Sequence, residues 1–176
     1  MLTLNSLNLD KFISVFLAAQ FAEKALPIWE REYPKDMRPR EAIEAAKAWL
    51  SNPGEETANA AHAALAAART AARAAAWTAA VATAAAANAA ADAADYAARA
   101  AYAARATYAA YAATYASRAL GADKKSLIHE VILENLDWIL QYKIENEQSF
   151  ANPDLILDYL TEEQKQSFMF NLDAVS

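Results

Sequence analysis

Between Thr57 and Leu120 the chain is mostly alanine, with arginines and tyrosines at wide intervals and neither glycine nor proline. Alanine loses no side-chain entropy on ordering and has the highest helix propensity, so packed helix is the only reading of a run this long. As a single rod at about 1.5 Å per residue it would reach roughly 95 Å, about three times the width of a small domain, so it has to fold back. The sequence punctuates those folds poorly. Breaks are expected near Trp77-Thr78 and between Asn88 and Asp92. A buried methyl contributes about 0.8 kcal/mol against ~1.5–3 kcal/mol for a leucine, but small residues let helix axes reach the short end of the ~8–10 Å packing range. The expected fold class is therefore all-α, a compact alanine-rich bundle plugged by larger side chains. Leu65, Trp77, Val81 and the stripe Tyr108, Tyr111, Tyr115 are the expected plugs, the tyrosines lying at i, i+3 and i+7 of one helical face. A stacking platform for bases or sugars is the alternative use of that stripe.

The remaining length suits one domain over residues 1–176, with N-terminal helices (1–54), alanine-rich helices (55–120) and acidic C-terminal helices (121–176). The absence of cysteine excludes disulfides, cysteine nucleophiles and thiolate metal sites, and suits a cytoplasmic protein. The net charge of −6 is uneven: residues 1–54 hold seven acids and seven bases, residues 55–120 four acids and five arginines, and residues 121–176 eleven acids and four lysines. Such a surface argues against direct nucleic-acid binding, which demands clustered lysine and arginine. It suits either solubility alone or a basic protein partner such as a nuclease.

No membrane segment is expected. Eighteen uncharged residues separate Arg73 from Asp92, but alanine, threonine and asparagine do not supply the transfer energy of leucine or phenylalanine. The apolar run Phe12 to Ala22 follows Asp10 and Lys11 without a basic leader, and reads as one face of a first helix rather than a signal peptide.

That helix opens at Asn8 or Asp10 and places Phe12, Val15, Phe16, Ala19 and Ala22 at helical spacing. Pro27 predicts a kink or short break, and Pro34 the end. Pro39 in a first turn, with Glu41 behind it, starts a second helix through Ile43, Ala46 and Trp49. Asn52-Pro53-Gly54 is a loop and Gly121 a C-cap. Leu127, Val131, Ile132, Leu136, Ile139 and Leu140 form one amphipathic helix, Asn152-Pro153-Asp154 opens a short one, and Thr161 with Gln164 makes a capping box for a last helix ending near Leu172. The C-terminal region is expected to serve as a lid on the bundle, with an appended partner-binding element as the alternative.

The block from Phe21 to Leu50 carries Phe21, Ala22, Glu23, Leu26, Pro27, Pro34, Asp36, Arg38, Pro39, Arg40, Ala42, Ile43, Glu44, Ala45, Ala46 and Trp49. In these positions it resembles the immunity-five-like family of bacterial and phage-related immunity proteins. That family shows a Leu-Pro segment, a Pro-x-Asp-x-Arg-Pro-Arg turn, Ala-Ile-Glu-Ala-Ala and a downstream tryptophan, then a long alanine-rich helical region. Family members often place several histidines there, where this chain has His62 alone. The resemblance implies neutralisation of a toxin by direct binding, without catalysis. A phage origin would imply an inhibitor of a host enzyme.

Physically, Asp36-Met37-Arg38-Pro39-Arg40 is a turn entering a helix: Asp36 can accept backbone amides or pair with Arg38 or Arg40, and Arg40 and Glu44 stand one turn apart and can bridge. The corner either locks two helices or presents a guanidinium fork to a carboxylate or other anion. For a basic partner the candidate contacts are Glu134, Asp137, Trp138, Glu145, Glu147 and Asp158, with Asp154, Glu162 and Glu163 adding to the field. No catalytic, cofactor-binding or metal-binding residue is expected. His129-Glu130 begins like a zinc-protease helix, but Leu133 stands where the second histidine must be. Asp92 and Asp95 share a helix face and read as solvated, and the threonines show no ice-matching period. The leading function is a binding protein that occludes a toxin or other enzyme. Its rivals are an assembly module forming a homo-oligomer through alanine faces, and an enzyme with an unrecognised helical site.

Overall fold

Asp10 opens the first helix: its backbone is extended and its Oδ1 accepts the Ile13 amide at 2.8 Å, satisfying a free donor of the first turn. This helix, α1, spans Lys11–Glu32 in the computed structural model, which describes residues 1–77, 81–98, 107–146, 148, 150–151, 153–162 and 164–165. Then follow α2 (Arg38–Ser51), α3 (Glu55–Trp77), α4 (Val81–Ala98), α5 (Thr107–Leu120), α6 (Lys124–Glu134), α7 (Leu136–Glu145) and α8 (Pro153–Leu157), with a 3-10 turn at Leu4–Leu7 before α1. The fold is all-α, with no strand among the described residues. The chain divides into two compact units, a core unit Leu9–Leu127 and a second unit joining Met1–Asn8 to Ile128–Ser176.

In the core unit α4 packs against α1, α2, α3 and α5, and α1 packs against α2, α4 and α5. Burial on α1 therefore spreads beyond one face, taking in Ile13, Val15, Leu17, Ala18, Phe21, Ala22, Ala25, Leu26 and Trp29, while Phe12 and Phe16 stay half-buried. By length and hydropathy α1 could cross a membrane; its contacts account for that apolarity as core. Pro27 lies inside α1 without breaking it. The residue is exposed, so its ring sits on the outer side of the helix, while the missing N–H costs one rung of the hydrogen-bond ladder.

The alanine tract folds as expected into packed helices, α3 ending at Trp77, but α4 runs unbroken through Asn88 to Asp92. Alanine propensity outweighs one asparagine, which costs at most about 0.7 kcal/mol, and α4 buries Ala84 to Ala87 and Ala89 to Ala91. The tyrosine plug is corrected at Tyr111, which is 53% exposed; Tyr115 is half-buried, and the Tyr108 side chain lies outside the described residues. α5 instead buries Ala109, Ala112, Ala113 and Ala116, because a methyl face admits the close approach that a ring would block. Leu65 is buried as expected; the side chains of Trp77 and Val81 are outside the described residues. Gly121, at φ +64°, ends α5 with the Ala122 amide donating to the Ser117 carbonyl at 2.9 Å, a Schellman closure that uses glycine's freedom at positive φ.

In the second unit the expected amphipathic helix is two helices in tandem. Asn135 interrupts it, donating its side-chain amide to the Val131 carbonyl at 2.8 Å, a local bond that competes with the helical ladder. Leu136, Ile139, Leu140 and Ile156 are buried, together with Leu2, Leu4 and Leu7 of the opening segment. The capping box forms: the Gln164 amide donates to Thr161 Oγ1 at 3.3 Å and the Thr161 amide to Gln164 Oε1 at 2.7 Å. The end expected near Leu172 lies outside the described residues.

Candidate functional site

Trp29, buried on α1, donates its indole N–H to the Asp36 carbonyl at 2.8 Å, while the Asp36 amide donates to the Tyr33 carbonyl at 3.0 Å. This fixes the turn. The Asp36 carboxylate then faces Arg38, which donates Nε to Oδ1 at 2.8 Å and Nη2 to Oδ2 at 2.5 Å, and whose backbone amide donates to Oδ1 at 3.2 Å. The Arg38 hydrogen bonds hold Asp36 below its ordinary carboxylate value, and Asp36 raises Arg38 in return.

The expected Arg40 to Glu44 bridge is replaced. Arg40 reaches across to α1 and donates Nε to Glu30 Oε1 at 2.7 Å, whereas Glu44 lies 3.7 Å from Lys47. Lys47 also bonds Glu23 of α1. Burial pulls Lys47 down, yet the Glu23 hydrogen bond and the charges of Glu23 and Glu44 carry it above the ordinary lysine value. Two ion pairs thus strap α2 to α1, because an inter-helical carboxylate meets each cation better than its own helix does. The side chains of Arg38 and Arg40 remain 37% and 43% exposed, and those of their partners Asp36 and Glu30 22% and 33%, so the ion pairs lie at the surface.

Asp92 and Asp95 are not a solvated pair. Asp95 is 3% exposed and receives Nη2 of Arg69 from α3 at 3.1 Å. Asp92 stands three residues earlier on α4 with Oδ2 buried and without a hydrogen-bond partner. Burial, reinforced by the Asp95 charge and opposed by Arg69, pushes its pKa up to about 6. His62, the histidine of the alanine-rich region, is exposed on α3. Among the described residues no three His, Asp or Glu side chains gather as a metal site.

The acidic candidates sit on the second unit, whose residues 128–176 hold ten acids and two lysines while residues 9–127 are nearly balanced. Glu134, Asp137, Glu145, Asp154, Asp158 and Glu162 are exposed; Glu147 and Glu163 lie outside the described residues. Trp138 is half-buried and stacks on Tyr142, ring centres 5.6 Å apart and planes 12° off parallel. Asp137 accepts the Gln164 amide and borders a shallow pocket lined by Leu140, Gln141, Ile144 and Gln164.

With corner and alanine bundle in place, the comparison with family models is decisive: the family described as "Imm-5 like putative immunity protein" matches residues 9–145. The chain belongs to this family. No curated protein and no solved structure matches it. The immunity-protein match runs from the start of α1 to the end of α7 and so takes in all of the core unit, with residues 1–8 and 146–176 outside it.

Sequence reasoning missed three features of this family member: Arg69 as partner of Asp95, His129 as a hydrogen-bond acceptor, and Lys143 as a buried cation. Charged residues inside an otherwise methyl-only helix were the available signal for the first, since α4 offers no other polar side chain than asparagine and threonine before Asp92. The other two depend on contacts between residues more than a hundred positions apart, which no local pattern encodes.

Proposed function

We propose that the chain binds a basic enzyme directly through the acidic surface of its second unit and blocks it. The observation that carries this reading is the concentration of exposed carboxylates, Glu134, Asp137, Glu145, Asp154, Asp158 and Glu162, in a member of an immunity-protein family. Clustered charge of one sign steers an opposite partner during diffusion and acts mainly on the association rate. Arg40 serves first to hold α2 on α1 and Arg38 to close the turn on Asp36, which leaves the recognition role to the carboxylates.

The test uses the protein encoded beside this one, purified and mixed with the full chain. Association measured by stopped flow should slow as salt shortens the Debye length from roughly 30 Å to 8 Å. The triple variant Glu134→Lys, Asp137→Lys, Asp158→Lys should slow it further with little change in dissociation, and Trp138→Ala should speed dissociation. Association indifferent to salt and to the reversals would overturn the reading and leave the acidity to solubility. The exposed ring of Tyr111 favours a second reading, self-association through α5. Sedimentation of the wild type against Tyr111→Ser separates the two.

A further inference from the structure

The opening segment is clasped from two sides within the second unit. Leu2, Leu4 and Leu7 are buried there, and the short turn is closed locally, Ser6 Oγ donating to the Thr3 carbonyl at 2.6 Å. At its far end Asn8 adopts φ +49°, and its carbonyl accepts Nζ of the buried Lys143 on α7 at 3.1 Å. At its near end the backbone amide of Leu2, a fully buried residue, donates to Nδ1 of His129 on α6 at 3.0 Å. The rings of His129 and Tyr159 meet in a T-shaped pair, with centres 5.4 Å apart and planes at 71°.

An imidazole nitrogen accepts a hydrogen bond only while it carries no proton, so this geometry requires neutral His129 with its hydrogen on Nε2. We propose that His129 is a proton-operated latch on the segment Met1–Asn8: protonation converts Nδ1 from acceptor to donor, leaves the Leu2 amide facing another N–H, and releases the segment. Histidine is the side chain whose charge ordinarily changes between pH 5 and 8, and a buried amide that loses its acceptor bears the full desolvation penalty. Tyr159, from the turn after α8, is the titratable group that meets the ring, and Glu130 is its neighbour in sequence on α6. The Lys143 clasp holds a backbone carbonyl with a cation and does not depend on that proton. Release therefore begins at Leu2 and uncovers the leucines in order along the segment, with Asn8 still held.

Native-state hydrogen exchange of the full chain tests this. After correction for intrinsic exchange, protection of the amides of Leu2 to Leu7 should fall roughly tenfold or more between pH 8 and pH 5, while the α7 amides keep theirs. His129→Asn offers a side-chain oxygen that accepts at either pH, and should hold the segment equally at both. Unchanged wild-type protection would overturn the latch, as would an asparagine variant that loses protection in parallel with the wild type. If that variant does not fold, nuclear magnetic resonance of the wild type decides: the His129 ring and the Leu2 amide must titrate with one midpoint, and separate midpoints overturn the proposal.

Discussion

Replacing Asp92 with asparagine should stabilise the core unit at pH 7.5, and the gain should fade as the solution is acidified. The carboxyl is buried on α4, one oxygen has no hydrogen-bond partner, and burial raises its pKa from the ordinary 3.8 to about 6. A raised acid pKa means that the folded state holds the proton more tightly than the unfolded chain. The group therefore costs nothing below about pH 4, costs progressively more as pH rises between about 4 and 6, and reaches a plateau above that. A shift of about two units at ~1.4 kcal/mol each gives a penalty of roughly 3 kcal/mol at pH 7.5. Asparagine fills the same space without the charge, so the stability difference between variant and wild type should grow by about 2–3 kcal/mol from pH 4 to pH 7.5. Urea unfolding at the two pH values, with hydrogen exchange of the α4 amides to place the event in the core unit, measures it. A difference that is the same at both pH values, or that grows toward acid, would refute the assignment of Asp92 as an ionised group held against burial.

Asp95→Asn should act in the opposite direction, losing about 1.5–3 kcal/mol at pH 7.5 in the same assay, since it weakens the charge-assisted bond to Arg69. Arg40→Ala should cost about 0.5–1 kcal/mol by thermal denaturation, a modest figure because the ion pair with Glu30 is partly exposed; no loss would mean that the corner does not strap α2 to α1. Gly121→Ala should cost about 1 kcal/mol through backbone strain alone, as nothing lies within 4 Å of the added carbon. Metal analysis of the purified chain should find no stoichiometric transition metal, because cysteine is absent and, among the described residues, no three His, Asp or Glu side chains gather. Retained zinc or iron would redirect attention to Asp92 and Asp95.

Local signals were legible where the chemistry is local. Asp10, Pro34, Pro39, Gly121 and the Thr161-Gln164 pair act within a few residues of themselves, and each sits in the structure as its type and spacing predict. Alanine is the opposite case. Its propensity announces helix and says nothing about which face turns inward, so Asn88 read as a break within α4 and the tyrosines read as core. The side chains that could orient a face are large, and in α5 Tyr111 stays exposed while Ala109, Ala112 and Ala116 are buried. The corner was half legible. Asp36 to Arg38 spans two positions and could be read from the turn, whereas Arg40 to Glu30 and Lys47 to Glu23 join two helices and needed the crossing of α1 with α2.

The same limit explains why the family was legible before the site. Residues Phe21 to Leu50 build a corner whose contacts, Trp29 to Asp36, Asp36 to Arg38, Arg40 to Glu30 and Lys47 to Glu23, all fall within one short block, so they carry a pattern dense enough to recognise. Steering by charge needs no such density: under the proposed function, carboxylates spread over α6, α7 and the segment around α8 would attract a basic partner whichever of them it finally touches. Those on α6 and α7 lie within the matched region, while Asp154, Asp158 and Glu162 lie beyond it. Attraction at long range depends on the sign and strength of a field rather than on exact positions, so the spacing of residues along the chain carries no pattern by which such a site could be read.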